Sequence, residues 1–209
     1  MGKTRVTEAL VRGLRTRGRR VWVHKPVACG DWDGTTAEDG RRLAALAGDG
    51  QAAASICRRQ FAEPASPHLA ARAAGVDLPL AALREDLAAV QGGHDLVIEG
   101  AGGLLVPLST DRRTLIDLLA PDYGLVIVTR PDLGTLNHTA LTVAVARQAG
   151  WEPLGLVLNA ARPVADSLAV RTAATELTAI TGLPILADLA HGADPAQTGP
   201  ALADAVLTR

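Results

Sequence analysis

The sequence predicts one α/β domain built on a mostly parallel central sheet flanked by helices, and three observations carry that reading. Residues 20–27, 95–99 and 125–129 are short apolar runs rich in Val and Ile that end where Gly, Pro or polar residues begin, as buried strands do. Two further runs, 154–159 and 184–187, alternate with helix-length segments at 136–150 and 164–181, which is the strand–helix–strand order of a parallel sheet. The 209 residues, 48% of them hydrophobic, are enough to bury one core and few for two.

Taken in order, the chain opens with Met1-Gly-Lys-Thr and runs directly into an amphipathic helical pattern that ends near Gly18. The strand at 20–27 follows. Residues 36–90 are rich in Ala, Leu and Arg and carry turn signals at 48–50, 64–67 and Gly75, so several helices are expected between two strands. After the strands at 95–99 and 125–129 comes a long helix with Leu141, Val145 and Ala149 on one apolar face. In open α/β sheets the loops at the carboxyl ends of the strands hold the ligand, so the chemistry is expected just after each run.

Bulk properties exclude several functions. A net charge of −1 offers no general field for nucleic acid or an anionic membrane, so neither is expected as a partner. The 2 cysteines, Cys29 and Cys57, are too few for a disulfide framework and lie in no metal-ligand spacing, which fits a reducing cytoplasm. The longest apolar stretches fall short of the roughly 18 residues a membrane span needs, and no signal-peptide pattern opens the chain.

Five segments carry candidate chemistry. Gly2-Lys3-Thr4 opening a helix is the back half of a phosphate-binding loop, in which backbone N–H groups wrap phosphate, Lys reaches the outer phosphates and Thr holds Mg2+. Alone, the tripeptide reads first as an ordinary helix start. Glu99-Gly-Ala-Gly102-Gly places a carboxylate at the end of a buried strand, which costs several kcal/mol unless a cation answers it, and Mg2+ is the cation expected. Lys25-Pro-Val leaves another strand end, where an ammonium is well placed to neutralise charge on a transferred phosphoryl group, its ordinary alternative being a rim charge.

The remaining two segments are less specific. Gly134-Thr135-Leu136-Asn137-His138 enters the long helix, so Thr135 or Asn137 reads as its N-cap, and the first-turn N–H groups are free to receive a carboxylate. His138 reads as structural. The two-proline turn at 61–68 leads into a helix with Ser66 as its cap, while Asp39 reads locally as a solvated helix carboxylate.

In this order, Gly-Lys-Thr, His24-Lys-Pro-Val-Ala-Cys-Gly, Phe61-Ala-Glu-Pro-Ala-Ser-Pro-His, Val97-Ile-Glu-Gly-Ala-Gly-Gly, Leu133-Gly-Thr-Leu-Asn-His and Leu158-Asn159 resemble the dethiobiotin synthetases over nearly the whole chain. The resemblance implies a homodimeric P-loop NTPase-like fold that uses ATP, Mg2+ and CO2 to close the ureido ring of dethiobiotin on 7,8-diaminopelargonate. It further implies a first β-strand and the front half of the P-loop ahead of Gly2, which are missing from this sequence. Under it, Gly2, Lys3, Thr4, Glu99, Gly102 and Asn159 bind the nucleotide, with Asn159 at adenine. Thr4, Asp39 and Glu99 hold the metal, and Lys3 and Lys25 are catalytic. Lys25, Cys29 and the N–H groups of Gly134, Thr135, Leu136 and Asn137 meet the substrate, and Arg171 reaches the partner subunit's substrate carboxylate.

Two departures from the family pattern stand out. Cys29 replaces a Ser or Thr common near the substrate, and residues 186–190 lack the Gly-x-Ile-Pro pattern beside the adenine. Two competing readings remain. One is a related ParA-like ATPase, against which the charge balance argues, and the other is a truncated remnant that binds without turnover.

Overall fold

A computed structural model describes residues 1–209. In chain order the elements are α1 (Lys3–Thr16), β1 (Val21–His24), β2 (Ala28–Cys29), α2 (Glu38–Ala44), α3 (Ala53–Ile56), β3 (Gln60–Phe61), α4 (Pro67–Ala73), α5 (Leu80–Ala88) and β4 (Asp95–Ile98). Then follow α6 (Leu115–Leu118), β5 (Val126–Thr129), α7 (Thr135–Gln148), β6 (Gly155–Asn159), α8 (Leu168–Thr181), β7 (Ile185–Leu189) and α9 (Pro195–Leu207). They group into two compact units, one of residues Met1–Arg17 with Pro121–Arg209 and one of Gly18–Ala120.

In the first unit β5, β6 and β7 form a parallel sheet in that order. Every residue of β6 is buried, because successive side chains enter opposite cores. Leu156 and Leu158 join Ile127, Val143 and Leu177 on the side of α7 and α8, whereas Val157 joins Val6, Leu186 and Leu202 on the side of α1 and α9. A strand buried on both faces reads as a continuous apolar run, which is why residues 154–159 were legible as one. Helices α1 and α9 approach so closely that a Cβ on Gly13 would stand 2.0 Å from the Gly199 carbonyl oxygen. The predicted helix at 164–181 begins only at Leu168, because the Ser167 hydroxyl accepts the Val170 N–H at 3.3 Å and caps it there. The final strand runs two residues past its predicted end at 187, to Leu189.

The second unit is less regular. Strand β1 pairs in parallel with β4, from Val21 opposite Asp95 to His24 opposite Ile98. The predicted strand at 20–27 stops at His24, where Lys25 and Pro26 intervene, and resumes as β2 beside β3, a two-residue strand that the sequence did not announce. The other edge of β1 is finished by side chains. Gln51 accepts the Val23 N–H at 2.9 Å and donates to the Val23 carbonyl at 2.7 Å, as a neighbouring strand would, and Asp49 accepts the Val21 N–H at 3.1 Å. An edge strand satisfied in this way offers little for another chain to pair with. Leu78, Leu83, Leu87 and Leu108 lead the core beneath. No helix of either unit is long and apolar enough to cross a membrane.

Candidate functional site

In the second unit the parallel register of β1 and β4 brings the residues after both strands to the same end, where the Glu99 N–H donates to the His24 carbonyl at 2.8 Å. Lys25 and Glu99 therefore leave neighbouring strands side by side. The Lys25 ammonium donates to Glu99 Oε1 at 2.6 Å and to Asp39 Oδ2 at 2.7 Å. The Lys25 and Glu99 side chains are 3% and 1% exposed, and Asp39, on the first turn of α2, is 47% exposed. Burial alone would lower the Lys25 pKa, but the charges and hydrogen bonds of Glu99 and Asp39 outweigh it and raise the pKa above the ordinary lysine value.

This arrangement revises one expectation. The buried Glu99 carboxylate does need a cation, and here Lys25 supplies it, so burial by itself no longer calls for a metal. The donor chemistry of this unit still suits Mg2+, since the carboxylates of Asp39 and Glu99 are hard oxygen donors. No group of three or more His, Cys, Asp or Glu side chains gathers as a ready-made metal cluster. Two of the three ammonium protons of Lys25 go to carboxylates, which leaves one to direct at an anion. On β2, burial pushes the Cys29 thiol up to about 11, partly opposed by the Lys25 charge, so it is a neutral, weak hydrogen-bond partner at neutral pH. Gly102 turns the chain at φ 75, where a Cβ would meet Val106 Cγ2 at 2.9 Å.

In the first unit Gly2 caps α1 in the left-handed region at φ 74, with Lys3 and Thr4 on the first turn. A Cβ at Gly2 would lie 2.3 Å from Asn159 Nδ2, so only glycine lets the loop backbone approach that side chain. Asn159, at the end of β6, is fully buried. Its Nδ2 donates to the Met1 carbonyl at 2.8 Å and, at 3.4 Å, to that of Gly2, while its Oδ1 accepts from Arg5 at 3.1 Å. Beside it lies a cavity of about 380 Å3 lined by Met1, Arg130, Asp132, Asn159, Arg162 and Val164 among others. Asp132 stands 2.8 Å from Arg130 and 3.2 Å from Arg162. The cavity is thus a cationic one, suited to an anionic ligand.

The start of α7 also differs from its predicted form. Gly134 at φ 96 is the N-cap, in place of Thr135 or Asn137. The Thr135 hydroxyl turns inward to Thr129 at 2.8 Å, which pins the helix to the end of β5. Thr135 donates its N–H to the Asp132 carbonyl and His138 donates to that of Gly134, leaving the intervening N–H groups of Leu136 and Asn137 for a ligand. His138 is exposed. Ser66 caps α4 by position only, its hydroxyl lying 3.1 Å from His68 Nδ1. Arg171 is exposed and paired with Asp166 at 2.8 Å. Sequence reading missed Arg5, Arg130 and Arg162, because an arginine on a helix or loop has the same local pattern whether it is solvated or holding a backbone carbonyl.

The AAA domain family model matches residues 1–194, a span that enters both units. The ATP-dependent dethiobiotin synthetase BioD of Anaeromyxobacter dehalogenans (strain 2CP-C) is 38% identical, covering 100% of this chain and 93% of its own. The protein of the same name from Rhodococcus erythropolis (strain PR4 / NBRC 100887) is 41% identical over 95% of this chain and 85% of its own. Among solved structures, a ParA family ATPase from Chlorobium tepidum TLS superposes with a TM-score of 0.52 at 14% identity, covering 100% of this chain and 88% of that one. At that identity the likeness shows the fold, an α/β fold of the P-loop ATPase kind.

Proposed function

The chain belongs to the dethiobiotin synthetase family, and from that membership we propose that it is an ATP-dependent ligase of biotin biosynthesis, closing the ureido ring of dethiobiotin on 7,8-diaminopelargonate with CO2. The observation that carries this reading beyond the family name is the Lys25 ammonium, buried between two carboxylates with one proton still to donate. A buried ion pair is a poor source of stability, so its presence at two strand ends favours a role in chemistry.

The reaction needs a carbamate on one substrate amine, attack of a carbamate oxygen on the γ-phosphate of ATP, and closure by the second amine with loss of phosphate. None of these steps demands a strong protein base. They demand positive charge where negative charge accumulates, so catalysis is positional and electrostatic. Lys25 neutralises charge at the carbamate and γ-phosphate, with its ammonium kept protonated by Glu99 and Asp39. Lys3 meets the outer phosphates, and the Gly2 backbone lies against them. The N–H groups of Leu136 and Asn137, at the positive end of the α7 dipole, hold the substrate carboxylate together with that of Gly134, whereas the expected Thr135 N–H is already given to the Asp132 carbonyl. Cys29 packs near the substrate as a neutral thiol. Thr4, Asp39 and Glu99 are the residues that would hold Mg2+, which would supply further neutralisation of phosphate charge. Asn159 faces adenine.

We further read the protein as a cytoplasmic homodimer acting as a single domain, with Leu133, Leu136 and Leu141, 84%, 37% and 58% exposed at and on α7, as the apolar surface that a second copy covers. The ParA-like fold supports a second reading, a partition-type ATPase, but a net charge of −1 gives no basic face for DNA. Supplying the protein with ATP, Mg2+, bicarbonate and 7,8-diaminopelargonate separates the readings. Dethiobiotin detected by mass spectrometry with matching ADP supports the ligase, ADP without product supports the ATPase, and neither signal indicates a chain that binds without turnover.

A further inference from the structure

Arg5 follows Thr4 on the first turn of α1 and reaches three neutral oxygens in two other segments. One guanidinium nitrogen donates to Asn159 Oδ1 at 3.1 Å, and the other donates to the carbonyls of Ala190 at 2.7 Å and Ala193 at 2.6 Å, in the turn after β7. A guanidinium carries only donors, so the atom of Asn159 that faces it must be the oxygen. The carboxamide cannot flip, and its nitrogen is directed at the carbonyls of Met1 and Gly2. All the groups joined lie within one compact unit, and of them Met1 and Asn159 line the cavity. Since its partners are neutral and fixed, the charge of Arg5 does the work of a bracket, holding the phosphate-loop end of α1, the tip of β6 and the turn after β7 to one another.

We propose that Arg5 is a positioning residue for nucleotide recognition: by locking the orientation of the Asn159 carboxamide it sets both affinity for ATP and discrimination against guanine nucleotides. The inference rests on the reading of the cavity beside Asn159 as the nucleotide site. Its chemistry is that of the base edges. Adenine presents an amino donor at N6, which the second lone pair of a fixed Asn159 Oδ1 accepts, whereas guanine presents the O6 acceptor there, which that oxygen repels; the Asn159 nitrogen is already given to the Met1 and Gly2 carbonyls. A locked amide opposes guanine because turning its nitrogen to that acceptor means breaking the contact with Arg5. An unlocked amide turns at little cost.

Equilibrium binding of ATP and of GTP to the full chain, measured by titration calorimetry with melting temperatures alongside, tests this in Arg5→Gln, Arg5→Lys and Asn159→Ala. Arg5→Gln is expected to weaken ATP binding about tenfold, the loss of a charge-assisted hydrogen bond, to narrow the ATP-to-GTP ratio, and to leave kcat at saturating ATP unchanged. Arg5→Lys, which keeps the charge but not the fork, recovers affinity in part and discrimination least; it carries the comparison should the Gln variant not fold. Wild-type constants for both nucleotides in the Arg5 variants overturn the proposal. So does an equal loss of ATP and GTP in step with a lowered melting temperature, which is the signature of a merely structural role. If Asn159→Ala leaves both affinities unchanged, the nucleotide reading of the cavity fails and takes this inference with it. If Asn159→Ala loses discrimination while Arg5→Gln keeps it, only the role of Arg5 is wrong.

Discussion

The two compact units hold their functional side chains by different physics. In residues 18–120 the key group is a charge, Lys25, buried against Glu99 and Asp39, and the nearby strand edge is completed by Asp49 and Gln51. In residues 1–17 with 121–209 the key group is a neutral amide, Asn159, held by directed hydrogen bonds from Arg5 and to the loop backbone, over a regular three-stranded sheet. A buried charge acts at range on any charge that develops beside it, which suits catalysis. An oriented amide acts only through donor and acceptor matching, which suits recognition. Substitutions in the first region should therefore fall on kcat and on pH dependence, and those in the second on affinity and selectivity.

The largest test of that contrast is Lys25→Gln. It is expected to lower kcat on the order of a thousandfold while ATP affinity stays close to wild type; an unchanged kcat breaks the comparison. The same substitution leaves Glu99 buried without its ammonium and costs about 3–5 kcal/mol of stability, most of it regained in a Lys25→Met, Glu99→Gln double variant followed by denaturant titration.

A somewhat smaller effect belongs to His24, on the last residue of β1. The ring is 1% exposed, neither nitrogen has a hydrogen-bond partner, and burial, partly countered by Asp86 and reinforced by Arg58, lowers its pKa from 6.5 to about 4. The unfolded chain then binds a proton that the folded chain refuses. Stability present above pH 6.5 is lost as pH falls toward 4, by roughly 3 kcal/mol over the window and no further below it. His24→Phe should flatten that limb in unfolding experiments between pH 7 and 4, and an unaltered acid limb contradicts the assignment.

Gln51→Ala comes next. It strips the Val23 N–H and carbonyl of their partners and should cost about 2 kcal/mol, with hydrogen exchange accelerated at β1 and unaffected at β6. Least of all is Arg17→Ala, which removes the bidentate pair with Asp204 on the surface of the other unit. Almost no change in melting temperature is expected, because solvent screens an exposed pair, with no change in kcat. A large effect there would show that charge matters equally in both regions.

The same contrast decides how much of the molecule was legible in its sequence. Strand β6 announces itself because burial on both faces leaves an unbroken apolar run, and Lys25, Glu99 and Asn159 could be singled out by position alone, at the ends of β1, β4 and β6. Strands β2 and β3, two residues each, are too short to show a period. Asp39 is chosen by its partner 14 positions away, and Gln51 completes the edge of β1 at a residue 28 positions away, neither of which leaves a local pattern. Burial alone requires a cation for Glu99, but that Lys25 is that cation follows from the pairing of β1 with β4, which leaves no local pattern. Arg5 was hidden because its partners lie at residues 159, 190 and 193.

One measurement bears most directly on the central claim of ATP-driven ring closure. The protein is supplied with bicarbonate labelled with carbon-13 and oxygen-18, used before its oxygen exchanges with water, together with ATP, Mg2+ and 7,8-diaminopelargonate. If a carbamate oxygen attacks the γ-phosphate and leaves with it, dethiobiotin carries carbon-13 in its ureido carbonyl and the released phosphate carries oxygen-18. Phosphate free of the label, released by water with no labelled ring formed, contradicts the assignment.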